Sequence, residues 1–219
     1  DRAIAGRPDF VEGHLQRARV LSELGLDDAA LESADKAVAI APSAAEAWLA
    51  RGNILRKFKR HDDALTAYDK ALAIAPDLAE AWLGRGGVFA ELKRHDDALS
   101  GYDRALALKP DLAQAWLSRG GVLAELKRYD DALAGYDKAL ALKPDLTEAW
   151  LGRGNIFTEL ARYSDAFAAY EKALALKPDL AEAWLGRGNV FTELKRYGDA
   201  FTAYETALDL KPDLAQAWL

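Results

Sequence analysis

Two histidines followed by aspartate pairs form the pattern in this sequence that most resembles a metal-binding site. His61 and His95 each precede two aspartates, and imidazole and carboxylate groups are ordinary zinc ligands. Further along the chain, tyrosine stands at the corresponding positions: Tyr129, Tyr163 and Tyr197. An aromatic packing role beside a turn explains all five residues, so the sequence predicts no metal site and no cofactor.

The remaining polar residues form no constellation suited to catalysis. The carboxylates recur at helix starts and on exposed faces, where capping and solvation account for them. The fragments GRGG and GRGN lie within helical patterns, which does not favour a phosphate-binding loop. The chain has no cysteine, which excludes a disulfide framework, a thiolate zinc site and a thiol nucleophile. We expect no enzymatic activity within these residues.

Charge and hydropathy argue against nucleic acid and membrane as partners. The chain has 29 Lys+Arg against 35 Asp+Glu and a formal net charge of -6, whereas both partners attract a positive surplus. No apolar run approaches the roughly 18 to 20 residues that span a bilayer, and the start lacks the pattern of a secretion signal. We expect a cytoplasmic protein. Since methionine is absent, we also expect the chain to be part of a longer product.

Proline and tryptophan recur at a spacing of 34 residues along the chain, for example at Pro144 and Pro178 and at Trp150 and Trp184. Such self-similarity indicates repeated structural units. A single array over residues 1–219 is predicted, with six complete units at 11–44, 45–78, 79–112, 113–146, 147–180 and 181–214. Residues 1–10 match the end of a preceding unit, and 215–219 match the start of a further one. We expect the array to continue beyond both ends.

Each unit has the pattern of two amphipathic helices, because apolar residues recur at spacings of three and four in two segments. A polar residue after each proline and a glutamate three places on predict a capping box at the first helix, formed by Ser43 with Glu46, Asp77 with Glu80, Asp145 with Glu148 and Asp179 with Glu182. Acidic residues such as Asp62 and Asp130 open the second helix, where the macrodipole favours them.

Small residues recur at one position in each helix and predict close helix packing. Glycine occupies the first helix, as at Gly120 and Gly154, and alanine the second, as at Ala132 and Ala166. Large aromatic residues, such as Trp150 and the tyrosine at the twenty-fourth position of units two to six, are predicted to fill the space beside them. Neighbouring units would then share one core.

These residues carry a specific resemblance. The pattern W-x2-L-G-x2-Y, then A-x3-F, then P at a period of 34 is that of the tetratricopeptide repeat family, and the sequence resembles it in five of six units. In the fifth unit it reads Trp150, Arg153, Gly154, Phe157, Ala166, Tyr170 and Pro178. The first unit is degenerate, with His14, Ala18 and Ala34 in place of tryptophan, glycine and aromatic residue.

The resemblance implies an all-α fold, a right-handed superhelical solenoid of helix-turn-helix repeats whose first helices line a concave groove. It also implies a noncatalytic scaffold that binds a peptide or helix of a partner protein. The groove positions of the family correspond here to a leucine stripe with polar groups, and the predicted binding residues are Leu49, Asn53, Leu83, Leu117, Leu151, Asn155, Thr158, Leu185, Asn189 and Thr192. Asparagine suits this role because its amide can both accept from and donate to a bound backbone.

Several alternatives remain open from the sequence. The repeated leucine could serve packing alone, and Arg56, Lys57 and Arg19 could either receive an acidic ligand or be solvated. The array could instead be the substrate-recruiting arm of a larger enzyme, such as a glycosyltransferase. It could also self-associate end to end, since terminal repeats without a polar cap expose apolar faces.

Arginine stands at the seventh position of every unit, where the family usually has leucine. The residues are Arg17, Arg51, Arg85, Arg119, Arg153 and Arg187. An arginine can lay its aliphatic stem on a core while its guanidinium reaches a carboxylate. We predict a structural ladder in which these arginines pair with acidic groups of neighbouring helices, in preference to a role in ligand binding.

Overall fold

The computed structural model describes residues 10–214, which form twelve α-helices and no β-strand. They fall into two compact units, unit 1 up to Asp111 and unit 2 from Leu112. Unit 1 contains α1 (Val11–Glu23), α2 (Asp27–Ile40), α3 (Ala45–Lys57), α4 (His61–Ile74), α5 (Ala79–Glu91) and α6 (His95–Leu108). Unit 2 contains α7 (Ala113–Glu125), α8 (Tyr129–Leu142), α9 (Thr147–Glu159), α10 (Tyr163–Leu176), α11 (Ala181–Glu193) and α12 (Tyr197–Leu210).

Every complete repeat read from the sequence contains one helix pair, so the all-α fold and the helix-turn-helix repeats are confirmed. The flanking stretches 1–9 and 215–219, where the sequence predicts parts of further repeats, lie outside the described residues. In unit 1 the second helix of one pair packs on the first helix of the next, as α2 does on α3, and first helices α1, α3 and α5 are successive neighbours. In unit 2 the same holds for α8 on α9 and for the series α7, α9 and α11.

The two helices of a pair are joined by a tight turn that requires one residue with positive φ. Gly25 has φ 71° at this place, and the equivalent Lys93 has φ 58°. The Lys93 amide donates to the Ala90 carbonyl at 3.0 Å and the Arg94 amide to the Phe89 carbonyl at 2.8 Å. These two bonds satisfy carbonyls at the end of α5 in the manner of a Schellman motif. The chain therefore reverses direction with its last helical carbonyls bonded.

The predicted capping boxes are wrong in their register. The N-cap residues of α3, α5, α9 and α11 are Ala44, Leu78, Leu146 and Leu180, none of which makes a side-chain capping bond. Before α5, the Leu78 amide donates to the Ala75 carbonyl at 3.1 Å, which closes a turn with Pro76 at its second position, as proline favours. This turn uses Asp77 and delays the helix by one residue. The acidic first turn of the second helices is confirmed, for example by Asp62 and Asp63 in α4.

A tyrosine inserted between two glycines forms the centre of the contact between successive repeats. Tyr68 is completely buried, and its ring lies between Gly52 on α3 and Gly84 on α5. A Cβ atom at these glycines would stand 2.8 Å and 2.6 Å from ring carbons of Tyr68. Tyr136 lies in the same way between Gly120 and Gly152. Two glycines thus provide the space for each ring, which explains the small residues of the first helix.

The degenerate first repeat keeps the same buried positions with smaller residues. His14 and Ala18 on α1 and Ala34 on α2 are all buried. Ala18 and Ala34 belong to a core cluster with Ala30 and Ile54. The departure of this repeat from the family pattern therefore reduces the size of its core side chains while preserving the helix pair.

Two helix-interior glycines beside one tyrosine provide a matched test of this packing. A Cβ at Gly152 would lie 2.6 Å from Cζ of Tyr136, whereas a Cβ at Gly121 would meet only the Tyr136 hydroxyl oxygen at 4.0 Å. We expect Gly152→Ala to lower the free energy of unfolding by about 1 to 3 kcal/mol through overpacking. We expect Gly121→Ala to raise it by about 0.5 to 1 kcal/mol, because alanine is the better helix former. Urea denaturation followed by circular dichroism measures both, and equal effects would contradict the tyrosine-glycine packing.

Candidate functional site

In each unit the first helices are successive neighbours. We call the side that they form the first-helix face: α1, α3 and α5 in unit 1, and α7, α9 and α11 in unit 2. Hollows open on this face. One in unit 1 is lined only by residues of α1 and α3, including Leu15, Arg19 and Asn53. One in unit 2, of about 430 Å³, lies between the α7–α8 pair and α9. The predicted binding residues all lie on these first helices.

The leucines of the stripe both pack against the core and remain partly exposed on the face. Leu49, Leu83, Leu117 and Leu151 are half-buried. Leu49 packs against the core around Tyr68, and Leu151 against the core around Tyr170. Leu185 is only 8% exposed and belongs mainly to the core. The stripe therefore offers the edges of leucine side chains to the face and keeps the rest of each side chain for the contact between helices.

The three asparagines of the face are anchored by tyrosines of the second helices. The Tyr68 hydroxyl donates to Oδ1 of Asn53 at 2.8 Å, and the Tyr170 hydroxyl to Oδ1 of Asn155 at 2.9 Å. The Tyr204 hydroxyl donates to Oδ1 of Asn189 at 3.0 Å. Each asparagine is itself exposed. The amide oxygen is thus turned toward the core, and the NH₂ group, a donor only, is presented on the face.

Two threonines complete this arrangement in unit 2. The Thr158 hydroxyl donates to the Gly154 carbonyl at 2.9 Å and lies 3.1 Å from the Tyr170 hydroxyl. Thr192 repeats this geometry with Gly188, at 3.0 Å, and with Tyr204, at 2.9 Å. Both threonines therefore lie beside the tyrosine hydroxyl that contacts an asparagine. Sequence reasoning placed these residues on the same face but did not identify the hydrogen bonds between them.

Burial changes the acidity of the tyrosines beneath the face. Burial raises the pKa of Tyr68 and Tyr170 above the usual value of 10. The pKa of Tyr136 is raised to about 12, first by burial and then by the negative charge of Glu125. A raised pKa keeps these hydroxyls protonated throughout the neutral range. Tyr68 and Tyr170 therefore remain donors to Asn53 and Asn155.

The predicted arginine ladder is confirmed where its ion pairs are described. Nε of Arg51 lies 2.7 Å from Oδ1 of Asp35, and Nε of Arg85 lies 2.9 Å from Oδ1 of Asp69. Arg153 pairs with Asp137 through its Nη1 atom. Each pair joins the first helix of one repeat to the second helix of the preceding repeat. In the first repeat, Arg17 donates to the Ser33 hydroxyl at 2.6 Å.

The ladder arginines also stack on aromatic rings, which sequence reasoning did not identify. The guanidinium of Arg153 lies 5.1 Å from the ring centre of Trp150 and 5.6 Å from that of Phe157. Arg162, from the following turn, lies 4.6 Å from the same phenylalanine ring. These distances allow cation-π attraction. The tryptophan indole is held in turn, since Nε1 of Trp150 donates to the Pro144 carbonyl at 3.1 Å.

The histidine and tyrosine at the seventeenth repeat position contact a glutamate of the next first helix. Nε2 of His61 lies 3.1 Å from Oε2 of Glu91, and the Tyr163 hydroxyl donates to Oε2 of Glu193 at 3.3 Å. Tyr163 also packs against a core cluster. Within residues 10–214, no group of three or more histidine or acidic residues is placed to share a metal ion. These positions thus join neighbouring repeats at the turn.

The basic residues near the start of the face are engaged within the protein. Nε of Arg56 lies 2.7 Å from Oε1 of Glu91. Nζ of Lys57 donates to the Ser22 carbonyl and lies 3.4 Å from Oδ1 of Asp27. An acidic ligand at this place would compete with these partners.

The fold and this face define a helical repeat protein, and the comparison with known families specifies which one. Sequence patterns described as TPR repeat match residues 120–160 and 154–194. Patterns described as tetratricopeptide repeat match residues 43–110 and 181–214. The chain belongs to the tetratricopeptide repeat family. No curated protein matches the sequence, and none of the helices within residues 10–214 is long and apolar enough to cross a membrane.

Solved structures share the fold at low sequence identity. The complex titled APC/C hetero-tetramer Cut9-Hcn1 matches with a TM-score of 0.90 and 19% identity, over 98% of this chain and 42% of that one. Pseudomonas aeruginosa PilF matches with a TM-score of 0.84 and 21% identity, over 97% of both chains. YrrB, titled a TPR protein with an unusual peptide-binding site, matches with a TM-score of 0.67 and 23% identity, over 86% of this chain and 97% of its own.

The raised tyrosine pKa predicts a loss of stability in alkaline solution. Below pH 10, Tyr136 is protonated in both the folded and the unfolded chain. Between pH 10 and its folded pKa of about 12, only the unfolded chain releases the proton, so stability falls by about 1.4 kcal/mol per pH unit. Urea denaturation at pH 9 and pH 11 should show a smaller fall for Tyr136→Phe than for the wild type. An identical fall in both proteins would contradict the raised pKa.

Because the arginines of the ladder contact neighbouring helices, we expect replacement of one of them to lower stability rather than ligand affinity. Arg153→Leu removes one partly exposed ion pair and two cation-π contacts, so we expect the free energy of unfolding to fall by about 1 to 2 kcal/mol. Asp137→Asn, which removes only the charge of its partner, should have a smaller effect. Denaturant titration measures both variants. If Arg153→Leu left stability unchanged or raised it while abolishing ligand binding, the structural assignment would be wrong.

Proposed function

We propose that the chain is a noncatalytic scaffold that binds an extended peptide or a helix of a partner protein on its first-helix face. The contact residues would be Leu49, Asn53 and Leu83 in unit 1. In unit 2 they would be Leu117, Leu151, Leu185, Asn155, Thr158, Asn189 and Thr192.

The anchored asparagines carry this proposal. The Asn155 amide would have to be ordered before it could recognise a ligand, and the bond from Tyr170 already supplies that order. Pre-organised groups bind with less loss of side-chain entropy. Asn189 is oriented by Tyr204 in the same way. Two NH₂ groups on successive first helices would donate to carbonyl oxygens of a bound chain, which every peptide offers irrespective of its sequence.

The leucines would contribute apolar contact between these polar groups. Leu117 and Leu151 are half-buried, so their exposed edges could pack on apolar side chains of a peptide without loss of their own core contacts. An extended peptide places alternate side chains on one side, which suits a surface that alternates between leucine edges and amide donors. Among the structures with this fold, YrrB is titled as having a peptide-binding site, which supports the proposal at the level of the fold.

Selection from a random peptide library on the wild-type protein tests the proposal. Peptides recovered should bind the double variant Asn155→Ala, Asn189→Ala about tenfold or more weakly, because two donor groups are lost. The double variant Leu117→Lys, Leu151→Lys should also bind weakly. Isothermal titration calorimetry measures the affinities, and circular dichroism shows that each variant remains folded.

Thr202→Ala provides the control, because Thr202 is an exposed polar residue on a second helix. Its affinity for the same peptides should equal that of the wild type. Peptides that bind all four proteins equally would place the binding surface elsewhere, and recovery of no peptide would overturn the proposal.

A further inference from the structure

The hollow on the first-helix face of unit 2 has a polar and acidic lining. Its walls include Glu125 and Glu159, together with Asn155 and the buried Tyr136. The small residues Ala124 and Gly152 also line it. Lys127 is the one cation among the lining residues.

A corresponding hollow in unit 1 contains a guanidinium group supplied by the protein itself. Arg56 extends from α3 to α5, where its Nε lies 2.7 Å from Oε1 of Glu91. Its guanidinium carbon lies 2.5 Å from the place where a Cβ at Gly87 would stand. Burial raises the pKa of the Tyr68 hydroxyl, and the positive charge of Arg56 lowers it by a smaller amount. The carboxylate, the tyrosine and the glycine thus surround one arginine.

The repeat register relates the two hollows residue by residue. Glu159 stands where unit 1 has Glu91, and Tyr136 stands where it has Tyr68. Ala124 replaces Arg56, and Glu125 replaces Lys57. The lining of the unit 1 hollow therefore has three cations and one carboxylate, Arg56, Lys57, Lys59 and Glu91. The lining of the unit 2 hollow has one cation and two carboxylates, Lys127, Glu125 and Glu159.

We propose that the unit 2 hollow receives the arginine side chain of a bound partner peptide, in the role that Arg56 has within unit 1. This inference rests on the proposed function and specifies the chemistry of the ligand. Arginine is favoured over lysine because its planar guanidinium can donate two parallel bonds to one carboxylate. Glu159 is the receiving carboxylate, as Glu91 is for Arg56.

Asn155 sets the direction from which the arginine enters. It replaces Gly87, and a Cβ at that place excludes the position taken by the Arg56 guanidinium. The incoming side chain therefore lies over Asn155, on the solvent side, rather than reaching across from the neighbouring helix. This is the side on which a peptide would lie if the Asn155 and Asn189 amides held its backbone. The charge of Glu125, which contributes to the raised pKa of Tyr136, makes the environment favourable to a cation.

Peptides recovered from the random library provide the probe. Each arginine of a recovered peptide is replaced in turn by citrulline, which keeps the shape and removes the charge, or by lysine. One citrulline replacement should weaken binding to the wild type about tenfold or more. Lysine should restore only part of that loss. With Glu159→Gln, the difference between the arginine and citrulline peptides should disappear.

Two further variants separate a specific pocket from general attraction between charges. The double variant Ala124→Arg, Asn155→Gly rebuilds the unit 1 arrangement, so the new arginine side chain should occupy the hollow. The difference in affinity between arginine and citrulline peptides should then disappear. Glu205→Gln removes an exposed carboxylate on a second helix and should leave the arginine preference unchanged.

The outcomes distinguish this inference from the proposed function. Peptides whose binding needs Asn155 and Asn189 but is unaffected by citrulline would overturn the arginine pocket and leave the peptide-binding face intact. An arginine preference that persists in Glu159→Gln, or that Glu205→Gln reduces equally, would also overturn it. Recovery of no peptide would overturn both.

Discussion

The insertion of a tyrosine ring between glycines of two successive first helices is the contact on which the rest of each unit depends. Tyr68 and Tyr136 fill this space in their units, and their rings leave no room for a Cβ atom at the flanking glycines. Because the ring touches its own repeat and the next, it sets the distance between neighbouring first helices. That distance in turn determines how the leucines of the face are divided between core and surface. A solenoid repeat cannot bury its apolar side alone, and here the shared tyrosine provides the burial.

In the repeats that carry the asparagine, the same tyrosine connects the core to the first-helix face. Its ring is buried, while its hydroxyl reaches an asparagine on the first-helix face, as in the 2.9 Å bond from Tyr170 to Asn155. Repeat four has Gly121 and Ala124 at the positions of the asparagine and threonine. Among repeats two to six, the face therefore varies while the core tyrosine is kept. Such a division allows one scaffold to present different polar groups without a change in its packing.

A second set of contacts stabilises the opposite side of the repeat junction. The guanidinium of Arg153 lies near Trp150 and Phe157 and pairs with Asp137 of the preceding repeat. Arg162 approaches Phe157 from the following turn. A partly exposed ion pair contributes little to stability by itself. The arginine therefore stabilises the junction through its ion pair, its stacking on aromatic rings and the packing of its apolar stem together. For Arg51, Arg85 and Arg153 the contacts at the junction between repeats account for the arginine without a ligand.

Period and residue size in the sequence alone determined the helix pairs, the close-packed glycines and the arginine pairs. These features depend on spacing within a helix and on side-chain volume, which a repeated sequence displays directly. The start of α5 at Ala79, with Leu78 as its N-cap, depended on a turn through Pro76 and Asp77. Helical periodicity does not reveal the hydrogen bond of that turn. Likewise, the sequence placed Asn155 and Tyr170 fifteen residues apart on different helices. Only the tertiary structure decided that the Tyr170 hydroxyl donates to the amide oxygen of Asn155. It also decided that Arg56 forms an ion pair with Glu91 on the next first helix. Partners of this kind are chosen by the distance and angle between packed helices, which local sequence does not encode.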